Sequence, residues 1–434
     1  MRMSTKQPYP RTLVVSNNPF STTSNNGKTL ASFFKDFPKD KIAQLYFSPA
    51  LPDEDRFQNY FQITDLQMFR SCFPWEKPPG RIVSSSTSHR GARKGVTGKN
   101  VSSTLRKSEV ARITRELCWA GGKWKTESLN SWLTDFSPEI IFFCAGDSGF
   151  AYDITNHIRQ MFDAKLVVYI TDDYVLPRDT MSPAWWVRRN YLFDKMKETV
   201  QQSDLFVTIS QEMKEAYKQL FGVDSIVAMN MTESMRSGPN ASSSEGTITL
   251  IYAGGLHFNR YKTLSLLANS IARYNLEDEN KKAFLKIFSG SEVNRNIKRR
   301  LNVPGASQFC GFLDAQELKN ELNRCDIPVH VESFDSKSIE STRLSISTKI
   351  PEYLSLGKPV LAIGPSEVAS IRYIKDSAYC ILSPDTIYEE VQILLNDENL
   401  KNDLSRKALA QFEQNHTPSV VSKRLIESMI STIA

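Results

Sequence analysis

The sequence predicts two open α/β domains, each built on a mostly parallel sheet. Three observations carry this. The chain has 434 residues, too many for one ordinary core. Short apolar runs alternate with stretches of helical spacing along almost its whole length. The stretch RSGPNASSSEG at 236–246 divides the two series without a single large apolar residue.

The first series opens with RTLVVS as a strand, NNPFSTTSNNG as turn chemistry and KTLASFFKDF as a helix, with apolar spacing at Leu30, Phe33, Phe34 and Phe37. KIAQLYFS supplies the next strand, so the chain begins as a βαβ unit whose ligands belong at the carboxyl ends of parallel strands. Residues 77–104 are rich in Ser, Gly and basic residues without apolar period and read as a mobile loop, which we bound at about 77–107. A helix follows from about Ser108 to Ala120. EIIFFCAG and KLVVYIT are apolar on both faces, as the middle strands of a parallel sheet are, and GFAYDITNHIRQMF between them is helical. A long helix from about Ala184 to Gln201 then leads to SDLFVTIS, another buried strand.

The second series repeats the scheme: TITLIYAGG, a helix from Leu264 to Tyr274, FLKIFSG, QFCGF, a helix around Ala315 to Asn323, IPVHVE, a helix from Pro351 to Leu356, KPVLAIG and AYCIL. The expected organisation is a first domain at 1–236, a linker at 237–246, a second domain at 247–416, and a C-terminal helix at 417–434 that packs back on the first. Two such domains would face each other across a cleft.

Composition narrows the class. An apolar fraction of 40% sets global disorder aside, and no run approaches the roughly 18 apolar residues of a membrane span. The amino terminus has no apolar run before a cleavage site, so a cytoplasmic protein is expected, with possible peripheral contact at the inner face of the membrane. Six dispersed cysteines show neither a disulfide framework nor metal-ligand spacing. Charge is uneven: between Arg81 and Lys125 there are eleven Lys/Arg against two Glu, although the whole chain carries only +6. Such a segment suits an anionic membrane or a lipid-phosphate-linked acceptor, or is simply a solvated loop. It has no aromatic between Arg81 and Cys118 on which a base would stack, so nucleic acid is not the expected partner.

The most informative stretch is STKIPEYLSLGKPVLAIGP, Ser347 to Pro365. Ser347 or Thr348 suits an N-cap, Pro351 the first turn, and Gly357 the end of a short helix. A helix N-terminus presents N–H groups and partial positive charge to a diphosphate, Lys349 adds a full charge, and Glu352 suits two ribose hydroxyls.

With its SxxTK-type loop, the following Glu and GKPVLA, this stretch resembles the donor motif of GT-B glycosyltransferases, above all their large retaining family (group 1, family 4-like). NNG at 25–27, SDLFVTIS, IYAGGLHFNRYKTL and QFCGFLDAQELKNELNRCDIPV resemble that family's other segments in the same order over about 400 residues. The resemblance implies two Rossmann-like domains and transfer of a sugar from a nucleotide-diphosphate sugar, UDP being the commonest carrier, to a glycan or lipid-linked acceptor in bacterial surface polysaccharide or glycoconjugate synthesis, with retention. It implies that Arg260 pairs with donor phosphate and that Gly27 lets the backbone approach the sugar-phosphate. Phe312 and Leu313 would pack the nucleobase beside Ser289, Gly290 and Ser291. Gly255, Thr348 and Ile350 would line the same donor, and Asn26 and Lys28 would reach the acceptor; His257, beside Gly255, is a candidate phosphate or acceptor contact, or structural. One position departs from the pattern: eight residues before Glu352, where the family often has a second Glu, stands Leu344. Glu332, Glu340 or the backbone of Ser341–Ser347 are the available substitutes. No cofactor and no metal are expected.

Asp172 and Asp173 end the strand KLVVYIT, where a carboxylate would orient or deprotonate an acceptor hydroxyl; TDDY equally suits a turn or an N-cap. Lys349, Glu352 and Arg260 have bland alternatives as a surface lysine, a first-turn acid and a surface arginine. His157 and His330 read as structural. Trp185, Trp186, Tyr191 and Phe193 suit an acceptor sugar, a membrane surface or core packing. Two other functions stay open: a nucleotide-sugar epimerase of the same shape, which would gather carboxylates and histidines around the sugar, and a binding module without catalysis.

Overall fold

The computed structural model describes residues 9–22, 25–73, 75–83, 109–236, 246–277 and 282–433. Residues 84–108 of the basic segment and 237–245 of the linker lie outside the described residues. The chain forms two compact units, one running to Ala228 and including Ser422 onward, the other Met229–Val421.

The first unit is an eight-stranded sheet in the order β4-β3-β2-β1-β5-β6-β7-β8. Its centre is β1 (Thr12–Ser16), β2 (Ile42–Tyr46), β5 (Ile140–Ala145), β6 (Lys165–Ile170) and β7 (Leu205–Thr208). These are the apolar runs picked out above, and β1, β2 and β5 are buried along their full length. Parallel pairing puts Thr12 opposite both Ile42 and Ile140. The expected mobile loop needs correction at its start. Arg81–Val83 is strand β4, antiparallel to β3 (Tyr60–Gln62), and both are too short for periodicity to register. β8 (Ile226–Val227) closes the other edge. The helices are α1 (Asn25–Phe33), α2 (Asp65–Arg70), α3 (Glu109–Ala120), α4 (Glu127–Phe136), α5 (Gly149–Phe162), α6 (Pro183–Gln201) and α7 (Gln211–Phe221). Rings from the end of α1 and the turn after it meet the sheet edge-on, Phe33 against Tyr169 and Phe34 against Phe142.

The second unit has six parallel strands in the order β11-β10-β9-β12-β13-β14: β9 (Thr247–Ala253), β10 (Lys282–Phe288), β11 (Ser307–Gly311), β12 (Ile327–Val331), β13 (Val360–Ile363) and β14 (Ala378–Ile381). Its helices are α8 (Arg260–Glu277), α9 (Arg295–Leu301), α10 (Ala315–Arg324), α11 (Ser336–Thr342), α12 (Ile350–Ser355), α13 (Ala369–Tyr373), α14 (Ile387–Asn396) and α15 (Glu398–Asn415). Strand order reverses between β1 and β5 in the first sheet and between β9 and β12 in the second. At such a switch the loops from adjacent carboxyl ends diverge and leave a crevice.

The chain enters the second unit at Met229, ahead of the Ser/Gly-rich stretch, and returns to the first through α16 (Pro418–Ile430), where Ser422 Oγ donates to the Phe33 carbonyl at 2.7 Å. His416, fully buried, fixes the entry point. Its Nδ1 lies 2.8 Å from the Asn230 carbonyl, its Nε2 2.8 Å from Tyr373 Oη, and its own carbonyl accepts from Thr232 N.

Burial pushes the His416 pKa down to about 4, against a smaller opposite effect of the Asn230 carbonyl. A depressed folded pKa means the unfolded chain binds the proton first. Stability is therefore full above the ordinary histidine value of about 6.5 and falls as pH drops from there toward 4. Calorimetric melting should show the unit containing His416 losing about 5 °C or more between those pH values. His416→Gln should melt lower at neutral pH and flatten that dependence; an unchanged slope would remove His416 as its source.

Candidate functional site

At the switch of the second sheet, β9 ends in Gly254 and Gly255. A Cβ on Gly255 would lie 2.3 Å from the His257 ring, and one on Gly254 2.8 Å from Tyr252 Oη, so no other residue fits without displacement. Phe258 and Asn259 then both take φ of +57°, a conformation disfavoured by about 1 kcal/mol or more for each L-residue. The tight turn starts α8 at Arg260.

Arg260 is not a surface arginine. Its Nε and Nη2 grip Glu332 at 3.1 and 2.9 Å, and its Nη1 sits 3.1 Å from His257 Nε2. Glu332 follows β12 with a side chain only 2% exposed. Burial would raise its carboxyl pKa, but His330, with Nε2 at 3.4 Å, and the Arg260 guanidinium outweigh burial and hold it below the usual range. Burial and then Arg260 lower the His257 pKa, so that ring is neutral at pH 7 and its Nε2 accepts from the guanidinium. Three of the five guanidinium N–H groups are thus engaged and two remain. Glu332 was one of the candidate substitutes for the missing acid; here its carboxylate orients the arginine.

A second network supports the turn. Asp335 caps α11 through Ser338 N, and accepts from Ser333 Oγ, Ser338 Oγ and Asn259 Nδ2. Burial acts upward, yet these hydrogen bonds hold its pKa down at about 2. Asn259, Ser333 and Asp335 were missed by sequence reasoning; the local signal is Asp335 three residues before Ser338, an N-cap pattern.

Next along the same edge, Ser289 N donates to the Gly311 carbonyl at 2.8 Å and Leu256 N to Ser291 Oγ at 3.0 Å, tying the loops after β9, β10 and β11 together. Gly311 takes φ of +81°, and Phe312 beyond it is 75% exposed. A Cβ on Gly290 would lie 3.3 Å from the Phe312 ring. Leu313 is half-buried, packed against the core on the α12 side of the sheet.

α12 corrects two expectations. It begins at Ile350, with Lys349 as its cap residue and no side-chain cap bond, so neither Ser347 nor Thr348 closes it. The amides of Lys349 and Ile350 are directed to Ser347 Oγ and Ser347 O, and Pro351 has none, so this terminus offers fewer donors to a diphosphate than its sequence implies. Lys349 Nζ bonds Glu352 Oε2 at 2.8 Å, and Glu352 is buried at its base. Thr348 is exposed, while Ile350 is buried in the core. Leu344 is buried and faces inward, where an acid in its place would be desolvated. Two other motif residues prove structural. Tyr353 Oη bridges the N–H and carbonyl of Ala253, each at 3.0 Å, and Lys358 Nζ donates to the Asn323 and Cys325 carbonyls at the end of α10.

In the first unit, Asp173 is 5% exposed and its Oδ1 accepts from the amides of Val175 and Leu176, the turn role that TDDY allows. One oxygen of Asp173 is thus committed to the turn after β6. Asp172 Oδ2 lies 3.3 Å from both Thr171 Oγ1 and Tyr174 Oη, and Asn26 Nδ2 reaches the same Thr171 at 3.2 Å. Asn26, Gly27 and Lys28 belong to the first turn of α1 rather than to a free loop. A Cβ on Gly27 would meet the Pro19 carbonyl at 2.2 Å, so its glycine is required by the protein's own backbone. A cavity of about 640 Å³ opens in the first unit at the carboxyl ends of β2, β3 and β5, lined by none of these residues. Trp119 and Phe69 line it with two ion pairs, Arg112–Asp147 at 2.9 Å and Arg115–Asp65 at 2.7 Å. Among the described residues, no group of three or more His, Cys, Asp and Glu is placed to hold a metal ion.

No family model and no curated protein matches the sequence. Solved structures do. The α,α-trehalose-phosphate synthase (UDP-forming) of Burkholderia xenovorans, in complex with glucose-6-phosphate, aligns with a TM-score of 0.63 at 10% identity, over 98% of this chain and 100% of that one. HepE of Anabaena, in complex with UDP-glucose, aligns at 0.61 and 12%, over 97% and 99%. An Escherichia coli structure described as trehalose-6-phosphate bound with UDP-2-fluoro glucose aligns at 0.61 and 11%, over 96% and 98%. The two α/β units are Rossmann-like and the fold is GT-B.

Arg260→Ala would strand a buried carboxylate, at a cost of about 3 kcal/mol. Denaturant unfolding should show that loss, and Arg260→Ala combined with Glu332→Gln should recover much of it. Equal destabilisation in single and double variants would show that the pair is not what holds the turn.

Proposed function

We propose that this protein is a glycosyltransferase that takes a nucleotide-diphosphate sugar, with UDP as the carrier, and transfers the sugar to a glycan or lipid-linked acceptor. One observation carries the reading. At the switch of the second sheet, a turn opened by two glycines, a carboxylate-oriented arginine with two remaining N–H groups and an exposed aromatic ring over Gly290 occupy adjacent strand ends. These are the chemical needs of a nucleotide diphosphate: close backbone approach, planar donors for phosphate and a platform for a base. Similarity to the complexes with UDP-glucose and UDP-2-fluoro glucose supports UDP.

In this reading the diphosphate lies against Arg260 and Lys349, Glu352 meets the ribose, and Phe312 with Ser289 and Gly290 meets the base. Gly255 and His257 lie beside the phosphates. As the bond from the sugar C1 to the phosphate oxygen breaks, negative charge grows on the departing diphosphate, and the two cations stabilise it. The acceptor oxygen bonds C1, and its proton passes to the departing phosphate oxygen, giving retention without a protein base. The commitment of Asp173 to its turn favours this route; Asp172 is left to orient an acceptor hydroxyl together with Asn26 and Lys28. The cavity at Trp119, with carboxylates and guanidinium forks around an aromatic floor, suits the hydroxyls and apolar face of an acceptor sugar. We assign no metal or cofactor, and place the activity in the cytoplasm, in bacterial surface polysaccharide or glycoconjugate synthesis.

A second reading has an observation of its own, since His257, His330 and Glu332 gather at the same strand ends, as an epimerase would require. NMR of the nucleotide sugar incubated with enzyme alone separates the two: an epimerised donor establishes the second, and slow hydrolysis to free sugar the first.

Calorimetric titration should show UDP or a UDP-sugar binding, with Phe312→Ala weakening it about tenfold through lost stacking and leaving the melting temperature unchanged. Activity should survive EDTA. Absence of binding by any nucleoside diphosphate to folded protein would overturn the proposal.

A further inference from the structure

The first unit carries an apolar ridge that neither the donor site nor the fold uses. Leu66 and Phe69 on α2, then Phe73 and Trp75 beyond it, are 58%, 55%, 42% and 79% exposed. The three rings are continuous, Phe69 and Phe73 5.9 Å apart and Phe73 stacked on Trp75 at 5.7 Å, and Leu66 lies one helical turn before Phe69. A row of large exposed side chains in contact with one another is uncommon on a protein surface without a partner.

The charges beside the ridge say which partner. Arg70 and Lys77 are exposed on the same segment, and Lys123 Nζ bonds the Ser71 carbonyl at 2.7 Å, which brings a third exposed cation to the end of α2. Within residues 65–77 the acids are Asp65 and Glu76; Asp65 is engaged by Arg115 Nε at 2.7 Å and Trp119 Nε1 at 2.9 Å, while Glu116 and Asp147 lie in the cavity behind the ridge. Trp and Phe seated among Lys and Arg is the composition that lies at the boundary of an anionic bilayer, where rings enter the acyl edge and cations meet the headgroups. Two shorter features agree. The ridge is confined to a six-residue helix and the residues after it, too little to span a membrane but enough to insert at its surface. Leu66 and Phe69 also line the cavity at Trp119, so a ridge lying on a bilayer would open that cavity toward the headgroups.

We propose that the ridge Leu66–Phe69–Phe73–Trp75, flanked by Arg70, Lys77 and Lys123, docks this protein on an anionic membrane surface. The site shares Lys123 with the basic segment Arg81–Lys125 but is otherwise built from Leu66–Lys77; most of that segment lies outside the described residues. It is independent of the nucleotide-sugar reading, because docking requires no donor.

The test is flotation of the full chain with vesicles of phosphatidylglycerol and phosphatidylcholine in equal parts, against vesicles of phosphatidylcholine alone. Wild type should float with the anionic vesicles only. Phe73→Ser with Trp75→Ser should lower the partition coefficient about tenfold or more, since two inserted rings are lost, without changing the melting temperature. Arg70→Glu with Lys77→Glu should lower it comparably at low salt and much less at about 0.5 M salt, where screening has already removed the electrostatic part. Failure of wild type to float, or flotation of the Phe73/Trp75 variant at the wild-type level, would overturn the proposal. So would light scattering that shows a wild-type dimer turned to monomer by the same variant, since the ridge would then be a contact between copies.

Discussion

Glu332 is a carboxylate buried almost completely at the end of β12, and the second unit is arranged around keeping it ionised. An isolated buried charge would cost several kcal/mol, so two N–H groups of Arg260 and the neighbouring His330 surround it. For Arg260 to arrive there, the chain after β9 has to turn within a few residues, which accounts for two glycines without room for a Cβ and two consecutive residues at positive φ. The Glu332 carbonyl takes part as well, accepting from Thr263 Oγ1 at 2.8 Å, so the first turn of α8 is held by both backbone and side chain. On the far side, Gly364 admits the Glu332 side chain, since a Cβ there would come within 2.8 Å of the Glu332 Cβ.

The electrostatic result differs from a simple cationic pocket. Arg260 and Lys349, the two cations that would meet a diphosphate, are each tied to an acid, Glu332 and Glu352. Such pairing lowers the attraction for an anion at long range. It also fixes where the remaining N–H groups point before a ligand arrives, which reduces the entropy lost on binding. A site of this kind selects by geometry more than by net charge.

The first unit uses the same device with neutral groups. Gln44, fully buried in β2, donates to Ser16 Oγ and the Asn18 carbonyl and accepts from Phe20 N, holding the loop after β1 against the sheet. After β6 the corresponding work falls to a carboxylate, Asp173, which accepts from the amides of Val175 and Leu176. In both units, residues that the sequence marks as site candidates are in part committed to the loops themselves: Asp173 to its turn and Gly27 to a close approach of the Pro19 carbonyl, whereas the Phe312 ring stands exposed.

That division marks how far sequence could reach. Apolar runs of strand length, helical spacing and a polar break were enough for two mostly parallel α/β units, because a strand covered on both faces by helices is apolar throughout, a pattern readable in its own residues. The three-residue strands β3 and β4 and the short helices α9, α11 and α13 were illegible, since they exist only through neighbours distant in sequence. Arg260, Glu352 and Lys349 were legible as site candidates through type and position. Their carboxylate and cation partners were not all so, because Glu332 lies 72 residues from Arg260 and is brought to it by strand order alone. The aromatic ridge was invisible for the converse reason: Phe69, Phe73 and Trp75 have the composition of core residues, and only the tertiary structure shows that no core receives them.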